Sequence, residues 1–139
     1  MPALFLAATM LQSCPAAAEG ALAVGLPKDV AKDGFAYGYS TGKADTKTAR
    51  DAALDLCRKP ADNRSVQARA LCAVVGTFNN QCVAVAMDPG TGTPGVGWAI
   101  AGDLASAQAG AIAQCKATAG ALRREFCTVD HSHCEGTAK

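Results

Sequence analysis

The sequence predicts a single α+β domain: an internally duplicated β-β-α-β unit, forming one antiparallel sheet with two helices packed on one face, stapled by disulfides. Three observations carry that expectation. The order strand, strand, helix, strand occurs twice, over about residues 20–81 and 82–134, and each helix and each closing strand brings a cysteine at the same place. With 139 residues the chain has room for one domain, since a domain usually takes about 100–200. Six of its seven cysteines follow residue 18, and an even number in a small exported chain reads as a disulfide framework.

Composition narrows the function classes. Half the residues are hydrophobic and 18% are charged, so the chain buries enough apolar surface to offset its ordering entropy, and disorder is excluded. Aromatics supply only 5%, so the core is built of small side chains and needs covalent staples. Thirteen basic residues face twelve acidic ones; this balance creates no field that would draw in nucleic acid or an acidic membrane.

The N-terminus reads as a leader. Ala3 to Leu11 is an apolar run broken only by Thr9, shorter than the roughly 20 residues a membrane helix needs but right for a signal-peptide core. Ala16-Ala17-Ala18 before Glu19 then fits a cleavage site, giving a signal peptide over 1–18 and a domain over 19–139. No basic residue precedes Lys28, which departs from the usual leader. The alternative is Leu11-Gln12-Ser13-Cys14, a lipobox ending in a lipid anchor at Cys14. Both routes place the protein outside the cytoplasm, periplasmic or secreted, and no transmembrane segment is expected.

In the first unit Gly20–Gly25 is a short apolar strand, Pro27–Asp33 a polar loop, and Phe35–Ser40 a second strand with alternating aromatics. Asp45 or Thr46 caps a helix in which Ala49, Ala52, Ala53, Leu56 and Cys57 recur at helical spacing before Lys59-Pro60 ends it. Ala61–Arg69 reads as a polar loop and Leu71–Phe78 as a strand, turning at Asn79-Asn80-Gln81. The second unit runs Cys82–Met87, a Gly/Pro-rich loop over Asp88–Pro94, and Val96–Ala101. Its helix begins at Asp103 with an inward stripe of Leu104, Ala107, Gln108, Ala111, Ile112 and Cys115, and Phe126–His131 closes the unit.

The repeat selects among the fifteen pairings that six cysteines allow. Within each unit the helix-end cysteine meets the strand cysteine, pairing Cys57 with Cys72 and Cys115 with Cys127. Cys82 and Cys134 remain, a bridge that pins the chain's end. Closing loops of about 15 residues is worth about 3 kcal/mol each in the chain-entropy model.

The opening Gly20-Ala21-Leu22-Ala23-Val24, the helix end Ala53–Cys57, the block Cys72–Ala86 and the Gly97-Trp98-Ala99 strand before the helix with Cys115 resemble the small exported bacterial proteins grouped as domain of unknown function 4189. The resemblance spans nearly all of the chain after the leader and contains no catalytic motif. It implies export, a disulfide-bonded single domain and, in some members, a link to host interaction; it supplies no site residues. The Pro60–Ala70 loop and the His131-Ser132-His133 tail depart from the family pattern.

Three constellations bear on chemistry. Gly38-Tyr39-Ser40-Thr41-Gly42 matches the G-x-S-x-G nucleophile elbow and falls between a strand and a helix, but a hydrolase of that kind needs a larger parallel sheet. The glycines are better read as permitting a turn, with Ser40 or Thr41 bonding the backbone. In an extended strand His131, His133 and Glu135 share a face, and imidazoles with a carboxylate suit zinc or copper, although histidines near a C-terminus are ordinarily solvated. Lys43, Lys47 and Arg50 form a basic stripe, diluted by Asp45, Asp51 and Asp55, that is either a solvated helix face or a docking surface. Trp98, Phe35, Tyr37 and Tyr39 read as core or sheet surface.

Together these readings lead to an exported, non-enzymatic binding or interaction domain, with no catalytic residues and no cofactor, whose partner is a protein or other component of the cell envelope or a host. The runner-up is a small envelope metal-binding protein using the C-terminal His-Ser-His, and behind it a small serine hydrolase using Ser40.

Overall fold

In the strand β1 (Glu19–Gly25), Ala21 and Ala23 alternate with Leu22 and Val24, and successive side chains of a strand point to opposite faces of a sheet. Both faces are apolar: one is lined by small residues and the other by large ones. The equivalent strand β4 (Cys82–Met87) repeats this, with Cys82, Ala84 and Ala86 on one face and Val83 and Val85 on the other. Strands of this kind are buried on both sides, and that requirement decides the architecture.

The computed structural model describes residues 18–60 and 65–139. Residues 1–17, on which the expected signal peptide and the Cys14 lipobox fall, lie outside the described residues. The remaining strands are β2 (Ala36–Lys43), β3 (Ala73–Phe78), β5 (Val96–Ala101) and β6 (Thr128–Cys134); the helices are α1 (Val30–Asp33), α2 (Thr46–Arg58), α3 (Val66–Ala70) and α4 (Leu104–Ala119). The strands form two antiparallel three-stranded sheets, β2-β1-β3 and β5-β4-β6. Each sheet thus comes from one β-β-α-β unit, and the duplication is present in three dimensions.

The expected single sheet is corrected to two sheets stacked face to face, with one helix outside each. One sheet carrying both helices on one face would leave Leu22, Val24, Tyr37, Val83, Val85 and Val96 in water. Stacking places them in a shared layer with Phe35 and Phe78, against which Trp98 and Ile100 pack. The small-residue faces take the helices. Ala21, Ala23 and Ala36 meet Ala49, Ala53 and Cys57 of α2, while Cys82, Ala84 and Ala86 meet Ala107, Ala111, Cys115 and Ala119 of α4.

The close approach rests on Gly38 in β2 and Gly97 in β5, equivalent positions in the two units. A Cβ on Gly38 would collide with the Ala53 carbonyl and the Cys57 amide, and one on Gly97 with the Ala111 carbonyl and the Cys115 amide. Both helices begin at an aspartate. Asp45 accepts from the Thr48 amide at 2.7 Å and Asp103 from the Ser106 amide at 2.8 Å. Those amide bonds hold both carboxyls below the ordinary aspartate range.

All three disulfides join the expected partners: Cys57–Cys72, Cys115–Cys127 and Cys82–Cys134. Several boundaries differ from the sequence reading. The Pro27–Asp33 loop contains α1, capped by Asp29, and the segment expected as an Ala61–Arg69 loop holds, from Val66 on, α3, capped by Ser65, whose hydroxyl also donates to the Asp33 carbonyl. Helices of four and five residues are too short to display a 3.6-residue period. Phe126 lies in a 3-10 turn over Arg124–Phe126 rather than in the last strand.

Candidate functional site

A duplicated fold repeats its packing, so the positions at which the two copies differ in chemistry stand out against a common geometry. The pairing registers supply the equivalence. Phe78 and Gly76 of β3 face Gly20 and Leu22 of β1, and His133 and His131 of β6 face Val83 and Val85 of β4 in the same way. Each closing strand also carries a bulge at the same point. It leaves Val75 unpaired in one copy and Asp130 in the other.

On one side of the sandwich the closing strand β3 presents Gly76 and Phe78 toward Trp98 and Ile100, and a Cβ on Gly76 would collide with Ile100 Cδ1. That seam is apolar, with Phe78 buried and Gly76, Trp98 and Ile100 half-buried. On the other side β6 presents His131 and His133 to Tyr37 and Tyr39 of β2. The Tyr39 ring lies 5.9 Å from the His131 ring and 6.2 Å from the His133 ring, centroid to centroid, and Tyr37 is 6.3 Å from His131. The Tyr37 hydroxyl donates to Asp130 Oδ2 at 2.5 Å, so the bulge residue closes the inner end of the row. Tyr37 is buried, Tyr39 half-buried, and both histidines and Asp130 are exposed. The result is a surface row of two phenols, two imidazoles and a carboxylate where the other copy has packed apolar side chains.

Glu135 continues the row at the far end but is buried, at 6% exposure. Its Oε2 accepts from the Gly42 amide at 2.6 Å, while its own amide donates to the Gln81 carbonyl at 2.8 Å. The strand alternation therefore does bring His131, His133 and Glu135 toward β2, yet Glu135 serves to clamp β6 to the end of that strand. Among the described residues no three His, Cys, Asp or Glu side chains converge as a metal-binding group.

The G-x-S-x-G segment lies wholly inside β2, not between a strand and a helix. Ser40 is buried at 4% exposure, and its hydroxyl donates to the Ala49 carbonyl at 2.6 Å. It pairs across from Ala21, on the face covered by α2, whereas Tyr39 faces the histidines. Ser40 and both histidines thus sit on opposite faces of β2.

Of the basic stripe, Lys43 ends β2, and Lys47 and Arg50 are exposed on the first turns of α2. Lys47 binds Asp51 at 2.6 Å, an exposed pair one helical turn apart. A further ion pair escaped the sequence reading. The Asp88 side chain is fully buried and takes two bonds of 2.7 Å from Arg123, which stacks on Phe126. The guanidinium holds the Asp88 carboxyl below its ordinary range, and the pair ties the β4–β5 loop to the turn after α4. At a sequence separation of 35, no spacing rule could have found it. The bond between Tyr37 and Asp130 escaped for a similar reason, since a bulge leaves no periodic trace.

No curated protein and no solved structure matches the chain. A family model described as a domain of unknown function (DUF4189) matches residues 20–134. That span takes in both β-β-α-β units, the six strands among the described residues but for the first residue of β1, and all six bridged cysteines. The chain, with its two stacked sheets and three disulfides, therefore belongs to the family described as domain of unknown function DUF4189.

Proposed function

We propose that the protein is an exported, non-enzymatic binding domain that recognises a protein of the cell envelope or of a host through the seam between β2 and β6. The observation that carries this reading is the chemical asymmetry of two equivalent seams: apolar at β3/β5, polar at β2/β6, where β6 presents two exposed histidines in place of Gly76 and the buried Phe78. Phenols and imidazoles combine apolar area with hydrogen-bonding capacity and lose few rotamers on binding, the properties of residues that anchor protein interfaces. Three disulfides in one small domain support export, as does the N-terminal leader read from the sequence. The non-enzymatic reading is supported by Ser40, whose hydroxyl is committed to the Ala49 carbonyl on the face away from both histidines.

The test is capture from envelope extract on immobilised domain, comparing wild type with Asp130→Asn/His133→Ala and with Lys43→Glu/Lys47→Glu/Arg50→Glu. Loss of a retained partner in the seam variant, with retention in the charge-reversed one, is the expected result. The opposite pattern would move the binding surface to the basic stripe. Covalent labelling of Ser40 by a fluorophosphonate would end the non-enzymatic reading.

A further inference from the structure

We propose that His131 and His133 chelate a divalent transition metal at the exposed end of the seam, with copper(II) bound most tightly. The two residues stand on one face of β6, two positions apart, which sets their Cα atoms roughly 6.6 Å from each other at the usual strand rise. At that spacing two imidazoles leaning toward the same side meet a common ion at metal–nitrogen distances of about 2.0–2.1 Å. Both rings already lie against one wall, the Tyr39 ring. That contact restricts their rotation before any ion arrives and lowers the ordering cost of chelation.

The ligand set follows from what the neighbouring groups are doing. Asp130 accepts the Tyr37 hydroxyl, Glu135 accepts the Gly42 amide, and Cys134 is bonded to Cys82. The site therefore offers two imidazole nitrogens and no thiolate, and its two carboxylates already accept hydrogen bonds. Such a set suits copper, nickel and zinc rather than calcium or magnesium, and among these divalent ions the affinity order places copper(II) first. Because no third His, Cys, Asp or Glu joins the pair among the described residues, the remaining coordination positions are open to water or to a donor from a bound molecule. The chelate needs no protein partner and stands or falls separately from the binding surface proposed above.

The experiment uses the mature, disulfide-intact protein, copper(II) sulfate as probe and free glycine as competing chelator, read by isothermal titration and electron paramagnetic resonance. We expect one copper per chain with coupling to two imidazole nitrogens. His131→Ala and His133→Ala should each weaken binding at least about tenfold, because the second ligand loses the effective concentration that the first provides. The double variant should lose the site while keeping the wild-type amide spectrum, since both side chains are exposed. Tyr39→Phe should retain copper, the ring and not the hydroxyl being the wall, and zinc should bind at the same residues more weakly. Failure of wild type to take up copper, equal uptake by the double variant, loss of copper in Tyr39→Phe, or zinc binding tighter than copper would each overturn the proposal.

Discussion

Gly38 and Gly97 show how one missing side chain positions a helix. Each lets the backbone of a helix come so close that an added Cβ would overlap a carbonyl oxygen and an amide nitrogen, atoms that cannot swing aside as a side chain tip can. Gly38→Ala and Gly97→Ala should therefore each destabilise the domain by about 1–3 kcal/mol, the usual cost of overpacking. Gly102 is exposed with open space around its Cβ position, so Gly102→Ala should stay within about 0.5 kcal/mol of wild type. Urea titration of the three variants checks the contrast; equal losses at all three positions would show that the helices do not rest on these glycines. The sequence made both glycines visible, but only as strand residues. Their contact with the helix backbone depends on which strand face the helix covers, and local pattern does not report that.

At the level of elements, the disulfides join what the chain entropy would otherwise separate. Cys57–Cys72 closes a separation of 15 residues and Cys82–Cys134 one of 52. In the chain-entropy model the Cys57→Ala/Cys72→Ala pair costs about 3 kcal/mol and the Cys82→Ala/Cys134→Ala pair about 4 kcal/mol. Denaturant unfolding of the two double variants should reproduce that order, and a smaller loss for the longer loop would exclude loop closure as the main contribution. The pairing was legible because the repeat places each helix-end cysteine and strand cysteine in the same relation twice. The two main helices were legible too, through aspartate caps and alanine periodicity. α1 and α3 were not, since one turn of helix is too short to reveal its period.

Across the whole molecule the two units share one apolar layer, to which β1, β2 and β3 contribute Leu22, Val24, Tyr37 and Phe78, and β4 and β5 contribute Val83, Val85 and Val96. Neither unit buries this face alone. Residues 20–81 expressed without the second unit should consequently fail to fold as a monomer, giving either an unfolded chain or a dimer in which two copies stack. Light scattering with an amide correlation spectrum distinguishes these from a folded monomer, whose appearance would show that the shared layer is dispensable. Stacking also creates the candidate site, because the Tyr37–Asp130 bond and the Tyr39–histidine contacts cross from one sheet to the other.

The sequence by itself determined the α+β class, the duplicated β-β-α-β order, the positions of six strands and two principal helices, and the three cysteine pairs. These depend on period, capping and repetition, which are properties of neighbouring residues. It also placed His131 and His133 on one strand face, whereas Glu135 lies just past the end of β6. The tertiary structure alone decided that the strands form two stacked sheets, that Glu135 is bound to the Gly42 amide, and that Tyr37 and Tyr39 meet Asp130 and the histidines. Those outcomes come from burying apolar faces contributed by segments distant in the chain, and no local pattern records which face will meet which.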